Sequence, residues 1–204
     1  MDRNEAGDRD RGDEELGRAS RGVSPLLAVD RVQALSEGEL GELAEATAAA
    51  IVEGGGFGWV KPQPRETLAR YYQGVLLVPE RSLFVARLDG IIVGAAQLVR
   101  PPRNNEAQAF SAQLMHFFLV SYARGHGLAR LLVRRVEEHA SAVGVRVLNL
   151  DVRATQASAI ALFEGLGFVR WGTHPAYARV NAETVAGHFY YKELAPPSRR
   201  ARGA

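Results

Sequence analysis

Val120-Ser121-Tyr122-Ala123-Arg124-Gly125-His126-Gly127-Leu128-Ala129-Arg130-Leu131-Leu132 joins two segments of different periodicity. Before it, Gln113 to Val120 is a mainly apolar run with the length of a strand. After it, Leu128, Leu131, Leu132, Val136 and His139 fall on one face of a helix predicted over Leu128 to Val143. A further strand is predicted over Val145 to Val152, so the order strand, turn, helix, strand makes a βαβ unit with a right-handed crossover. The turn also has chemistry. The first N–H groups of a helix lack internal acceptors and sit at the positive end of its dipole, and small residues at Gly125, Gly127 and Ala129 let a pyrophosphate approach them. The other reading of the same glycines is an ordinary tight turn.

Working upstream, Ser82 to Ala86 and Gly90 to Val99 form a β-hairpin that turns at Asp89-Gly90, a dipeptide that accepts the positive φ angles of a two-residue turn. A helix follows Pro64, with Leu68, Tyr71, Tyr72 and Val75 at helical spacing. Another begins at the capping box Ser36-Glu37-Gly38-Glu39, carries Leu40, Leu43, Ala44 and Ile51 inward, and ends at the run Gly54 to Gly56. Pro25 to Val32 is the first strand. Phe57-Gly58-Trp59 after the glycine run fits neither a dinucleotide fingerprint nor a phosphate loop with Lys-Ser or Lys-Thr, and reads as a flexible loop.

Downstream, a helix is predicted from about Gln156 to Gly165, a strand from Phe168, and a final strand over Gly187 to Leu194. Residues 1–22 mix Asp, Glu and Arg with almost no large apolar side chain and are expected to form a disordered tail; residues 195–204, with two prolines and three arginines, form a second, basic one. The folded domain is therefore 23–194, and 204 residues with 47% hydrophobic content suit one domain better than two.

Composition excludes several classes of function. With no cysteine there is no disulfide framework, thiolate metal site or cysteine nucleophile, and no metal is expected. The formal charge of +2 is spread among acids and bases, which argues against nucleic acid as a partner. The longest apolar stretch, Gly90 to Val99, is about half the roughly twenty residues a membrane span needs, and the charged amino terminus is unlike a signal peptide, so a cytoplasmic protein with no membrane partner is expected. Apolar strands near the carboxyl end favour pairing into a homodimer, with coverage of the sheet edge inside one chain as the alternative.

Arg124, Gly127 and Ala129 match the spacing of an acetyl-CoA motif, Gln or Arg, two residues, Gly, one residue, Gly or Ala, and in this respect the chain resembles the GNAT superfamily of N-acetyltransferases. A second segment, Leu148 to Val152 followed by Ala159-Ile160-Ala161-Leu162-Phe163-Glu164-Gly165-Leu166-Gly167-Phe168, looks like the superfamily's closing strand and helix. The resemblance extends more loosely from about Ser82 to Leu194; Gly172 to Tyr177 and Phe189 to Leu194 are similar to tabtoxin-resistance acetyltransferases. It implies an α/β GNAT fold: a mixed, mostly antiparallel central sheet of about six or seven strands with helices on both faces. It also implies an acetyl-CoA-dependent enzyme that moves an acetyl group directly to a primary amine of a small molecule, such as a toxin or antibiotic. A protein amino group is the alternative acceptor, and a non-catalytic acyl-CoA sensor the alternative role.

In that frame the cofactor is expected on Phe118, Leu119, Val120, Arg124, Gly125, His126, Gly127, Leu128, Ala129, Arg130, Gln156 and Phe163. The resemblance places the pantetheine arm in a gap beside the strand, paired with backbone near Phe118 and Val120, where the thioester carbonyl would also be polarised. Asp151, at the end of the strand bordering the gap, and then His116 are the candidate bases; a turn cap and a packed, hydrogen-bonded imidazole are the competing roles. The superfamily's usual acid is a tyrosine, but Phe163 stands at the matching position and has no proton to give, so Tyr177 is the substitute. Trp59, Tyr72 and Tyr177 are the expected acceptor contacts, with Tyr71 in the same region.

Overall fold

The computed structural model describes residues 24–55 and 57–196. The tail expected over 1–22 lies outside the described residues, as does all but the first two residues of the one expected over 195–204. Eleven main elements follow in order: β1 (Leu27–Val32), α1 (Glu37–Val52), α2 (Arg65–Leu77), β2 (Arg81–Leu88), β3 (Ile91–Val99), β4 (Ser111–Leu119), α3 (Leu128–Ala142), β5 (Val147–Arg153), α4 (Ala157–Glu164), β6 (Val169–Val180) and β7 (Glu183–Glu193). Among the described residues no helix is long and apolar enough to cross a membrane.

The strands form one seven-stranded sheet in the order β1-β2-β3-β4-β5-β7-β6, antiparallel everywhere except between β4 and β5. Side chains alternate across a sheet, yet β3 is buried continuously from Ile92 to Leu98, so both of its faces are covered. Helices α1 and α3 supply that cover. Leu132, Val133, Val136 and Ala140 of α3 have no exposed surface, and burying each leucine or valine side chain contributes about 1.5–3 kcal/mol.

Local signals set the helix ends. Ser36 Oγ accepts from the Glu39 N–H at 3.3 Å while the Glu39 carboxylate accepts from the Ser36 N–H at 2.8 Å, which closes the capping box at the start of α1. The bonds this carboxylate accepts from the Ser36 N–H, from the Ser36 hydroxyl at 2.8 Å and from Arg87 at 2.6 Å lower the Glu39 pKa from 4.5 to about 2. A depressed carboxylate pKa contributes stability that is complete above the unfolded value and lost as pH falls through the folded one. In Glu39→Gln the loss of stability on acidification between about pH 4.5 and 2 is therefore expected to be shallower than in the parent, as followed by urea unfolding.

Two features place the site. First, β4 and β5 pair only over Ser111–Gln113 and Val147–Asn149, and then separate. Just past the last paired residue, β4 carries a bulge: His116 has φ +49, and the register with β3 shifts between Ala95 and Gln97. Secondly, β6 and β7 form a longer hairpin than the sequence predicts. The turn is Asn181-Ala182, both at positive φ, and β7 starts at Glu183 instead of Gly187. Tyr177, expected between strands, thus lies inside β6. Val120 leaves β4 and precedes a short 3-10 turn at Ser121–Ala123.

Candidate active site

Beyond the point where β4 leaves β5, a cleft of about 530 Å³ lies between the end of β4, the amino-terminal end of α3 and α4. Gly125, Gly127 and Ala129 line one end, Phe117, Phe118 and Leu119 the wall, and Gln156, Ala159 and Leu162 the opposite side. Gly125 and Gly127 have φ of +83 and +84, which L side chains adopt at a cost of about 1–2 kcal/mol. At neither glycine would an added Cβ meet any atom within 4 Å. Open space over a helix start whose first N–H groups are unpaired fits a pyrophosphate, and the gap behind it fits an extended arm.

The expected cofactor residues divide within this cleft. Leu128 is buried, so only its backbone belongs to the helix start, while His126 and Arg130 are exposed and lie outside the cleft lining. Arg130 instead reaches the Gly165 carbonyl at 3.4 Å and ties α3 to the end of α4. Arg124 borders the cleft but turns back: its Nε and Nη2 donate to the Leu119 carbonyl at 3.2 and 3.0 Å, and Nη2 meets Glu53 at 2.5 Å. It staples the turn to the end of β4. The Val120 N–H donates to the Val93 carbonyl at 2.9 Å and faces away from the gap, which overturns its expected contact. Strand alternation leaves the neighbouring Leu119 N–H as the donor on the gap side.

A second cleft of about 490 Å³ continues from the first, sharing Phe117, Gln156 and Ala159 with it. Its lining brings together Asp151, His116 and Tyr177, three residues that lie on three strands. Asp151 is on β5 beyond the segment paired with β4, and the Tyr177 hydroxyl donates to its carboxylate. Burial first, and then this carboxylate, raise the Tyr177 pKa well above the usual phenol value, so its proton is retained at neutral pH. A phenol so held is a poor acid and a good clamp on Asp151.

Tyr177 reaches β5 from the edge strand only by crossing β7. The register between β6 and β7 shifts between His174 and Ala178, and the bulge sends the ring over Gly187, where a Cβ would overlap it. Gly187→Ala should therefore displace the ring, break the bond to Asp151 and lower kcat/KM about tenfold, the scale of one hydrogen bond to a charged group. Steady-state kinetics, beside an unchanged far-ultraviolet spectrum, would check it.

His116 stacks on Phe57, with ring centroids 5.7 Å apart, and its Nδ1 lies 3.0 Å from the Tyr71 hydroxyl. Burial, with Arg81 nearby, lowers its pKa, partly offset by Asp151. The other aromatic expectations fare differently. Tyr72 has no exposed surface and bonds Thr47 at 2.7 Å, so it is a core residue and the expected acceptor contact is overturned. Trp59 packs edge-on against Tyr71 at 5.1 Å, beside Gly58 and Val60 of the cleft lining but not in it. Phe163 is buried between Phe117 and Phe168 and closes the floor of the second cleft.

Arg153 has a part that sequence reasoning missed. The residue is 9% exposed, and its guanidinium donates to the Gly55 carbonyl at 3.3 Å and the Phe57 carbonyl at 2.6 Å. Gln156 donates to the Gly54 carbonyl at 2.5 Å. Two side chains from β5 and the start of α4 thus hold the carbonyls of Gly54, Gly55 and Phe57 after α1.

The family model described as Acetyltransferase (GNAT) family matches residues 49–168. An uncharacterized N-acetyltransferase in the hisH-hisA intergenic region of Azospirillum brasilense is 58% identical over 130 residues, 64% of this chain and 77% of that protein. The crystal structure of a Staphylococcus aureus Mu50 N-acetyltransferase superposes with a TM-score of 0.72 at 19% identity, covering 83% of this chain and 99% of the other. A Sinorhizobium meliloti phosphinothricin acetyltransferase, solved with acetyl-CoA, gives a TM-score of 0.69 at 21% identity, covering 85% and 90%.

Proposed function

From the premise that the chain belongs to the acetyltransferase (GNAT) family and is an acetyl-CoA-dependent N-acetyltransferase, we propose that its acceptor is a primary amine of a small molecule, acetylated by direct transfer. The observation that carries this reading is the Asp151–Tyr177 pair, set in a cleft that meets the cofactor cleft at Phe117, Gln156 and Ala159. At about 490 Å³ that cleft has the size of a small-molecule site. A Sinorhizobium meliloti protein of the same fold is a phosphinothricin acetyltransferase, which supports an acceptor of this size.

Acetyl-CoA, when bound, supplies an acetyl group activated as a thioester. Gly125, Gly127 and Ala129 would hold its pyrophosphate at the start of α3, and the cleft that runs from there between Phe117 to Leu119 and the start of α4 would hold its arm. The Leu119 N–H would donate to the thioester carbonyl oxygen, the kind of backbone contact worth about 2.7–4 kcal/mol in a transition state. As the amine nitrogen bonds the acetyl carbon and the C–S bond breaks, Asp151 would take the proton that the amine sheds, with its carboxylate oriented by Tyr177. The leaving CoA thiolate would be protonated from water. Holding both partners in adjoining clefts supplies proximity.

Screening primary amines alongside peptides with free amino termini, with release of the CoA thiol as readout, tests the acceptor class. Turnover of small amines is expected. Turnover confined to peptides would replace the small-molecule acceptor with a protein amino group, and acetyl-CoA binding without turnover of either would leave the sensor reading. Pairing of two chains through β6 belongs to the same proposal: β6 is a sheet edge with Val169 and Trp171 exposed, and light scattering should report a dimer.

A further inference from the structure

His116 sits at the end of a chain of hydrogen bonds drawn from four elements. Arg81 of β2 donates from Nη1 to Gln97 Oε1 at 2.7 Å. Gln97 of β3, only 1% exposed, donates from Nε2 to the Tyr71 hydroxyl of α2 at 3.0 Å. That hydroxyl lies 3.0 Å from His116 Nδ1 on the β4 bulge.

The polarity of the chain is fixed from its charged end. A guanidinium only donates, so the Gln97 amide must turn its oxygen to Arg81 and its N–H₂ to Tyr71. The Tyr71 oxygen is then an acceptor from Gln97, and its own proton has one acceptor among the described contacts, His116 Nδ1. The opposite arrangement, with Nδ1–H donating to Tyr71, leaves the phenol proton without an acceptor in a partly buried site, which is disfavoured. A neutral imidazole with Nδ1 accepting carries its proton on Nε2.

We infer that Arg81, Gln97 and Tyr71 lock His116 in the Nε2–H tautomer, so that His116 offers the acceptor cleft a hydrogen-bond donor for an oxygen of the substrate and is not the general base. The two ring nitrogens point to opposite sides; Tyr71 takes the Nδ1 side and is not part of the cleft lining, whereas His116 is. Burial lowers the His116 pKa, which keeps the ring neutral. Stacking on Phe57 fixes the ring plane. His116 is then a specificity group favouring amines that also carry a carboxylate or carbonyl oxygen, and Tyr71 and Gln97 are positioning residues that act through it. His116 lines the cleft from a left-handed backbone position on the β4 bulge. The role in the acceptor cleft rests on the transfer reading above; the tautomer does not.

Nitrogen-15 NMR of the full chain labelled at histidine tests both parts, with His116→Gln identifying the resonance. The expected spectrum has His116 Nε2 of the protonated type and Nδ1 of the bare type. In Gln97→Glu the carboxylate accepts from both Arg81 and Tyr71, the phenol oxygen accepts from Nδ1–H, and the two nitrogen signals should exchange character. A parent protein with Nδ1 protonated overturns the inference whatever the variants do. For the acceptor role, with an acceptor found by the amine screen, His116→Leu should raise KM about tenfold while kcat and the acid limb of the pH profile persist, and His116→Gln, which keeps a donor, should recover most of KM. Loss of that acid limb with a collapse of kcat would make His116 the base and sink the donor role. A failed acetyl-CoA titration would remove the transfer reading and leave the tautomer result standing.

Discussion

Gly127→Glu should abolish detectable acetyl-CoA binding in calorimetry, raising Kd by at least about two orders of magnitude. Two separate penalties act at this position. Its φ of +84 belongs to the region that costs a residue with a side chain about 1–2 kcal/mol, enough for roughly tenfold. A carboxylate at the start of α3 would then occupy the N–H groups and the positive dipole end that should receive pyrophosphate, and repel its charge. Gly127→Ala separates the two: nothing lies within 4 Å of the added Cβ, so its backbone cost falls on folding. Binding weakens, by up to about tenfold, only as far as the free turn relaxes out of its left-handed conformation. Equal, unweakened binding in both variants would mean that the cofactor lies elsewhere.

Asp151→Asn should lower kcat by about 10²–10⁴-fold with acetyl-CoA affinity unchanged. The amide keeps the shape of the carboxylate and still accepts from Tyr177, so the variant removes basicity and little else. Asp151 lines the acceptor cleft and not the cofactor cleft, which is why the two measurements should part. A loss in kcat of less than tenfold would transfer the proton to another route, such as water. Asp151→Ala is the harsher control, because it also frees Tyr177.

The parts of this molecule that were legible from the sequence are those whose cause is local. Ser36 and Glu39 are three residues apart and cap α1 as their spacing predicts; Asp89-Gly90, with φ of +51 and +89, turns the hairpin; Gly127 opens α3. The β6–β7 hairpin was only half visible, because Asn181-Ala182 adopts the same kind of turn without a glycine to announce it. Site residues followed the same division. Asp151 could be suspected from its strand end, but its clamp depends on a bulge in β6 and on Gly187 in β7, neither of which is close to it in sequence. Arg153 carried no motif, and its partners, Gly55 and Phe57, are nearly a hundred residues earlier. Tyr72 lies in the region the resemblance assigns to the acceptor, yet it is fully buried, and helical spacing alone does not tell its face of α2 from that of Tyr71.

The common wall of the two clefts has a thermodynamic consequence. Phe117, Gln156 and Ala159 border both, and Gln156 also holds Gly54, so a displacement of that side chain by one ligand changes the surface met by the other. Any factor by which acetyl-CoA alters acceptor affinity must be returned, unchanged, as the factor by which the acceptor alters affinity for acetyl-CoA. Loosening the shared wall therefore weakens the dialogue between the ligands before it weakens either alone.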